Sequence, residues 1–472
     1  MKILLVEPPR VLGNANIRIL GSVGQYKGNF CWPPLDLTII AGLLRKNGIE
    51  SDILDANASM IKIGDVKSKI KTTSPDLVLF STSTSTIGKD VNVAKVAKKV
   101  SNDITTVAIG AHIAAEPRET MKSCKELDML VADPEPEMSV LRLIQKELRP
   151  QSVPGMFYRR GKSFVRNRSK KHMNLDDFGI PAHDKVDAKL YSDPLMVRKP
   201  MALTYSSRGC RWGRCIYCCN PYFYQPVRFR SIPLITEELK WLNEMGIHEI
   251  KWFDPEFNNN LKHTFDLCKS IIRNKIDISW AADMRVDIMS PKILNTMKKA
   301  GCHTILIGVE SGDEKMLKTI KKGITLDMAR RASKMIRKSN LRLITHFMLG
   351  LPGETKETMQ KTLDFAKDLD PDATTFGIAV PHPGTEFTKF IEDGNYFTTK
   401  DYNKYDTSSP PVFNYPQLSS DEIYDFMKYA YREFYFRPGY IARRAMRVKS
   451  FTEFKTGLIN FKSLLKKYMF GK

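Results

Sequence analysis

Four cysteines fall within ten residues, at Cys210, Cys215, Cys218 and Cys219, in the run GCRWGRCIYCCN. Cys210, Cys215 and Cys218 follow a C-x4-C-x2-C spacing, so three thiolates can converge on one soft metal centre. Cys219 directly follows Cys218, and neighbouring side chains rarely aim at the same ion. A zinc knuckle wants four ligands, and no second C-x2-C pair exists in the chain. Three cysteines without a fourth fit an iron–sulfur cluster with one open iron. Cys268 and Cys302 sit inside helical or turn patterns and read as small core residues. The N-terminus MKILLVEPPR lacks a long apolar stretch and reads as a first strand, not a secretory signal. Clustered cysteines without such a signal point to a metal site in a reducing compartment rather than to a disulfide framework.

A scaffold must hold that loop, and the rest of the chain supplies one. The 472 residues are 42% hydrophobic and 27% charged, which excludes bulk disorder, a coiled coil and a collagen-like fibre. No stretch approaches 18 uninterrupted apolar residues, so no spanning helix is expected. The first ~145 residues alternate short apolar strands (2–9, 51–56, 76–82, 105–112) with helices such as 37–48 and 91–100. That alternation implies a parallel sheet wrapped by helices, with ligands at the strand C-termini. Residues 146–199 hold a possible basic hairpin and a stretch rich in Pro and Asp, and read as a connector. From 200 to 395 about six β/α units recur, enough to close or nearly close a barrel whose strand ends share one mouth.

The loop SRGCRWGRCIYC after the first of those strands resembles the cluster loop of the radical S-adenosylmethionine (SAM) superfamily. The superfamily's usual spacing has one residue fewer between the first two cysteines. The resemblance continues in order through Phe253-Asp254-Pro255-Glu256-Phe257, Arg285-Val286-Asp287, Gly308-Val309-Glu310-Ser311-Gly312, Met348 to Glu354, and Pro381-His382-Pro383-Gly384-Thr385. It implies that Cys210, Cys215 and Cys218 bind a [4Fe–4S] cluster whose open iron chelates SAM. Reductive cleavage of SAM then gives a 5′-deoxyadenosyl radical that abstracts hydrogen from an unactivated C–H bond. By residue type, Arg285 and Glu310 suit the SAM carboxylate and ribose hydroxyls, and the alternative for each is an ion pair at the barrel rim. Gly350 and Gly353 permit close approach to adenine. Tyr217 can pack near it, and Asp254 and Glu256 form the acidic strand end.

The first ~145 residues resemble the B12-binding domain that precedes many members of that superfamily. The matching pieces are Pro33-Pro34-Leu35-Asp36-Leu37, Leu54-Asp55-Ala56, Ser81 to Thr86, Gly110-Ala111-His112 and Asp133 to Glu137. The resemblance makes Pro34, Thr82, Ser83, Gly110 and His112 candidates for lining cobalamin. The D-x-H-x-x-G signature with its cobalt-ligating histidine is absent, and Gly110-Ala111 replaces a double glycine. The expected fold class is therefore α/β. A flavodoxin-like (Rossmann-like) parallel-sheet domain spans 1–145, a linker 146–199, a partial (β/α)6 TIM-type barrel 200–395 and a helical basic region 396–472.

The resemblance implies a cytoplasmic enzyme with a [4Fe–4S] cluster, SAM and cobalamin as cofactors, methylating an unactivated carbon of a small-molecule or lipid substrate. An electron donor such as flavodoxin or ferredoxin is implied. Radical cyclisation, carbon–carbon coupling or oxidation without methyl transfer is the alternative. A non-enzymatic zinc or RNA-binding protein is a distant one. The net charge of +22 fits an anionic partner. From Arg437 to Lys472 ten basic residues stand against the single acid Glu453, interleaved with apolar residues. That tail reads either as a basic amphipathic helix on the inner membrane surface or as a helix covering the barrel mouth. Nucleic acid is not expected as a partner.

Overall fold

The computed structural model describes residues 1–19, 25–26, 30–219 and 225–446. It divides into two compact units: 1–193 with 199–210 and 219–248, and 194–198 with 211–218 and 249 onward.

In the first unit, strands β1 (Ile3–Glu7), β2 (Asp52–Asp55), β3 (Leu77–Ser81), β4 (Thr105–Ile109) and β5 (Met129–Val131) pair in parallel in the order β2-β1-β3-β4-β5. This is the doubly wound flavodoxin-like order, which reverses direction between β1 and β3. β3, LVLFS, is buried along its whole length, because helices cover both faces of such a sheet. Helices α1 (Leu35–Lys46), α2 (Ile63–Thr73), α3 (Asn92–Val100) and α4 (Glu137–Gln145) supply that cover. Within the stretch read as a connector, β6 (Met156–Arg160) and β7 (Ser163–Arg166) form a hairpin that extends the sheet antiparallel beyond β5. Leu175, Phe178, His183 and Tyr191 further along that stretch are buried.

The first unit also holds β8 (Met201–Thr204) and helix α5 (Ile232–Glu244), which is capped by Ser231. Fully buried Arg230 pairs with Glu238 at 2.6 Å, and Glu238 also bonds His183 at 2.8 Å. Burial alone would raise the Glu238 pKa, but Arg230 and His183 hold it at about 2.

The second unit contains β9 (Glu249–Trp252), β10 (Ser279–Met284), β11 (Cys302–Glu310), β12 (Arg342–Leu349) and β13 (Ala373–Ile378), each paired in parallel with the next. Helices α6 (Leu261–Arg273), α7 (Pro291–Lys299), α8 (Leu326–Lys338) and α9 (Lys356–Leu369) alternate with them. Asn260, Ser290, Thr325 and Thr355 cap the four helices through their side chains, so each helix starts where the sequence places a capping residue. Residues 396–419, which include Pro410, Pro411 and Pro416, run in turns, isolated bridges and one short 3-10 helix (Tyr402–Lys404). Helix α10 (Ser420–Tyr435) begins at a Ser419–Glu422 capping box and sets Tyr431 edge-on against Phe376 of β13. Among the described residues no helix is long and apolar enough to cross a membrane. Of the basic tail, helix α11 (Pro438–Met446) is described, and the amphipathic stretch 447–472 lies outside the described residues.

Candidate active site

The cysteine loop is fixed to the second unit by its apolar residue. Ile216 donates its N–H to Ile320 O at 3.2 Å and accepts at its carbonyl from Phe387 N at 3.0 Å. Cys218 N bonds Cys215 O at 3.2 Å, so these two cysteines share one turn. Cys210, Cys215, Cys218 and Cys219 are all half-buried, and none is in a disulfide. Cys31, Cys124, Cys268 and Cys302 are buried, and burial pushes their thiols up, to about 12 for Cys31 and Cys268 and about 11 for Cys124. Cys268 and Cys302 are thus the core residues their sequence context indicated. Burial leaves Cys215 raised above the ordinary thiol value, and the cations of Lys322 and Arg285 offset only part of that rise. Among the described residues no three His, Cys, Asp or Glu side chains surround one metal-ion position. A cube held by three thiolates at separate corners differs in this from a single ion.

A clamp surrounds the loop. Trp212 donates its indole N–H to Lys321 O at 2.6 Å and lies flat on Gly323, where a Cβ would strike the ring. The Arg285 guanidinium stands 5.2 Å from the Trp212 ring centroid, bonds Asp287 at 3.0 Å, and reaches Lys322 O at 3.2 Å and Gly323 O at 3.4 Å. Arg211 joins Asp287 at 2.8 Å and buried Glu256 at 3.4 Å. Asp254 is likewise buried.

Glu310 ends β11 at a bulge in the β11–β12 register and carries φ +70°, a left-handed backbone uncommon for a non-glycine residue. Its carboxylate bonds Lys322 Nζ at 2.7 Å. Gly308 leaves the room for this, since a Cβ there would collide with both groups. The hydroxyl of Tyr217 is within hydrogen-bonding reach of both Glu310 and Cys215. Gly350 (φ +83°) and Gly353 (φ +81°) form the turn after β12. Buried Glu354 accepts from the N–H groups of Gly350 and Leu351, and burial pushes its carboxyl up to about 8. On the side where Gly350 would carry a Cβ, the ring of Phe413 already fills the space.

In the first unit, Thr82 and Gly110 meet at the ends of β3 and β4. Thr82 Oγ1 donates to Ile109 O at 2.8 Å, and Gly110, at φ +134°, has no room for a Cβ against the Thr82 carbonyl. Ser83 Oγ bonds Thr86 Oγ1 at 2.8 Å, and the buried Ser85 hydroxyl has no partner among the described residues. Pro34 precedes α1, and His112 is buried in the short helix after β4. The turn Asp133 to Glu137 turns its acids on arginines: Glu135 takes Arg228 at 2.8 Å, and Glu137 takes Arg208, two residues before Cys210.

Sequence reasoning singled out neither Lys322 as the partner of Glu310 nor Trp212 as the lid on Gly323. The Lys322-Gly323 pair was visible beside the Glu310 motif, and the tryptophan stands inside the cysteine loop.

The donor sets fit the groups they were expected to hold. Half-exposed thiols beside two cations suit an iron–sulfur cluster. An unpartnered buried hydroxyl among small side chains at parallel strand ends suits a large polar cofactor. These are the features of a two-part α/β enzyme with a redox-cluster loop. The Radical SAM superfamily profile matches residues 204–366, and the B12 binding domain profile matches residues 24–140. An uncharacterized methyltransferase of Pyrococcus horikoshii is 32% identical over 465 residues, covering 95% of this chain and 97% of that protein. An anaerobic magnesium-protoporphyrin IX monomethyl ester cyclase of Rubrivivax gelatinosus is 26% identical over 93% of this chain and 78% of its own length. The solved radical SAM methyltransferase TsrM of Kitasatospora setae shares the fold with TM-score 0.66 and 18% identity, over 84% of this chain and 76% of that one. The chain belongs to the radical SAM superfamily. It is an enzyme of the cobalamin-dependent, methyltransferase-like kind, with a [4Fe–4S] cluster, SAM and cobalamin as cofactors.

Proposed function

We propose that the enzyme methylates an unactivated carbon of a small molecule. Cys210, Cys215 and Cys218 hold the cluster. Tyr217, Asp254, Glu256, Arg285, Glu310, Gly350 and Gly353 form the SAM side of the site, while Pro34, Thr82, Ser83, Gly110 and His112 line the cobalamin face. The observation that carries this reading is the half-exposed thiol loop gripped by Trp212, Arg285 and Lys322. When bound, the cluster and SAM supply a hydrogen-abstracting radical, and cobalamin supplies the methyl group. Lys322 and Arg285 offset part of the burial that raises Cys215. Ion pairing holds the Glu310 carboxylate at the rim. Arg285 acts chiefly as a positioning residue, because its guanidinium already serves Asp287 and two carbonyls.

The boundaries 1–145, 146–199, 200–395 and 396–472 complete this reading, with the linker carrying the sheet-edge hairpin. A flavodoxin- or ferredoxin-type donor supplies the electron in the cytoplasm, and the basic tail holds the enzyme at an anionic membrane surface. The likeness to the cyclase over most of both chains favours ring closure without methyl transfer as the second reading. Anaerobic reconstitution with iron, sulfide and cobalamin separates them. A cobalt-bearing enzyme that turns SAM into both 5′-deoxyadenosine and S-adenosylhomocysteine is the expected result. Cleavage to 5′-deoxyadenosine alone, without bound cobalt, favours the second reading.

A further inference from the structure

Register fixes which side chains of β9 to β13 face the barrel lumen, because alternate residues of a strand point to opposite faces. Ala281, Leu306 and Ile344 pack together with Leu195 and Ala373 as an apolar layer inside the sheet. The intervening residues Trp280, Ile305, Phe347 and Phe376 are buried on the other face. Beneath the apolar layer, Glu249, Ser279, His303 and Arg342 bond one another and seal the strand N-termini. The next inward positions toward the strand C-termini are Asp283, Gly308, His346 and Thr375. Lys251 of β9 reaches Asp283 at 3.3 Å, and His346 Nδ1 is 2.7 Å from Thr375 Oγ1.

Unlike the layer below, this upper ring is open. Thr375 is exposed although its neighbours Thr374 and Phe376 are buried, and His346, Gly308, Met348 and Gly377 are half-buried. Thr375 lies on β13, the last strand of the order, and meets solvent at the sheet edge, whereas His346 and Gly308 lie on the inner strands β12 and β11, where an inward residue stays part-exposed only beside an open lumen. The ion pair is lopsided: the Lys251 side chain is 8% exposed and that of Asp283 38%. The chamber therefore meets the carboxylate, a neutral imidazole whose pKa burial lowers, and a hydroxyl. Such an acceptor-rich floor complements a cationic hydrogen-bond donor and penalises an anion or a bare hydrocarbon.

We propose that Asp283, His346 and Thr375, backed by Lys251, form the substrate subsite of the chamber and take the ammonium group of an amine-bearing small molecule. This rests on the radical SAM reading of the barrel. The test uses reconstituted holoenzyme with SAM and three indole probes that carry an ammonium, a carboxylate or no charge on the same two-carbon arm: tryptamine, indole-3-propionate and 3-ethylindole. Tryptamine binds about tenfold more tightly than the other two. Asp283→Asn abolishes that preference while retaining the cluster spectrum. Should Asn beside Lys251 upset folding, the Lys251→Met/Asp283→Asn pair gives the same readout without an unpaired ammonium. Equal binding of the three probes, or a preference that survives in the variant, overturns the subsite. If wild-type enzyme fails to cleave SAM, the radical reading fails instead.

Discussion

Each unit carries an ionic centre near the C-terminal ends of its parallel strands, and the two are built oppositely. Between β1 and β3, where the first sheet reverses order, Arg18 pairs with Glu7 at 3.0 Å and Asp90 at 2.9 Å, with all three side chains at most 5% exposed. The Ser81 hydroxyl donates to Glu7, Pro9 O takes another Arg18 N–H at 2.9 Å, and nearby Asp55 accepts from Tyr191 at 2.8 Å. Burial, opposed by Arg18 and reinforced by Asp55, pushes Glu7 up to about 7. In the barrel lumen, Lys251 and Asp283 are joined more loosely and half of the pair faces solvent. Charge content does not separate the two centres; closure does. A charge whose partners are all protein serves the fold, and one with an open side can serve a ligand.

Removing a cluster ligand should leave both centres intact and still stop the chemistry. Cys215→Ala loses the brown cluster chromophore and all 5′-deoxyadenosine formation, while the far-ultraviolet spectrum of the apo chain stays unchanged. Retained SAM cleavage would refute its assignment as a ligand. The stability contrast comes next. Arg18→Ala leaves Glu7 and Asp90 buried without their cation and costs ~3–5 kcal/mol in denaturant unfolding. Lys251→Met costs only about 1 kcal/mol by the same measurement, since the Asp283 carboxylate it leaves behind is 38% exposed and stays solvated. If the two costs came out equal, closure would not be the distinction. The smallest effect belongs to Glu354, buried like Glu7 but lacking an arginine. A raised acid pKa contributes stability that is full below pH 4.5 and lost as pH rises through about 8. Below pH 4.5, where the carboxyl is neutral folded or unfolded, Glu354→Gln changes stability by less than about 1 kcal/mol. Across pH 5 to 9 it flattens the decline seen in the wild-type unfolding midpoint.

The sequence made the cysteine loop and the strand-end motifs legible, because their meaning lies in residues close together along the chain. It did not reveal the roles that depend on register. Lys251, Asp283, His346 and Thr375 lie on four strands, and no local pattern says that they share a ring. Arg228 and Glu135 are 93 residues apart, so the acid turn could be read from sequence but not its partner. The motif named Glu310 but hid its bulge, its left-handed backbone and Lys322. The hairpin at 156–166 showed as a basic hairpin, whereas its docking on β5 needed an open sheet edge that sequence does not display.

The missing methyl at Gly308 has a consequence of its own. Glu310 folds back over that bare backbone to find Lys322, so an alanine there would push the carboxylate out of its present seat. One carbon atom thus decides where along the strand end this carboxylate and its ammonium can rest.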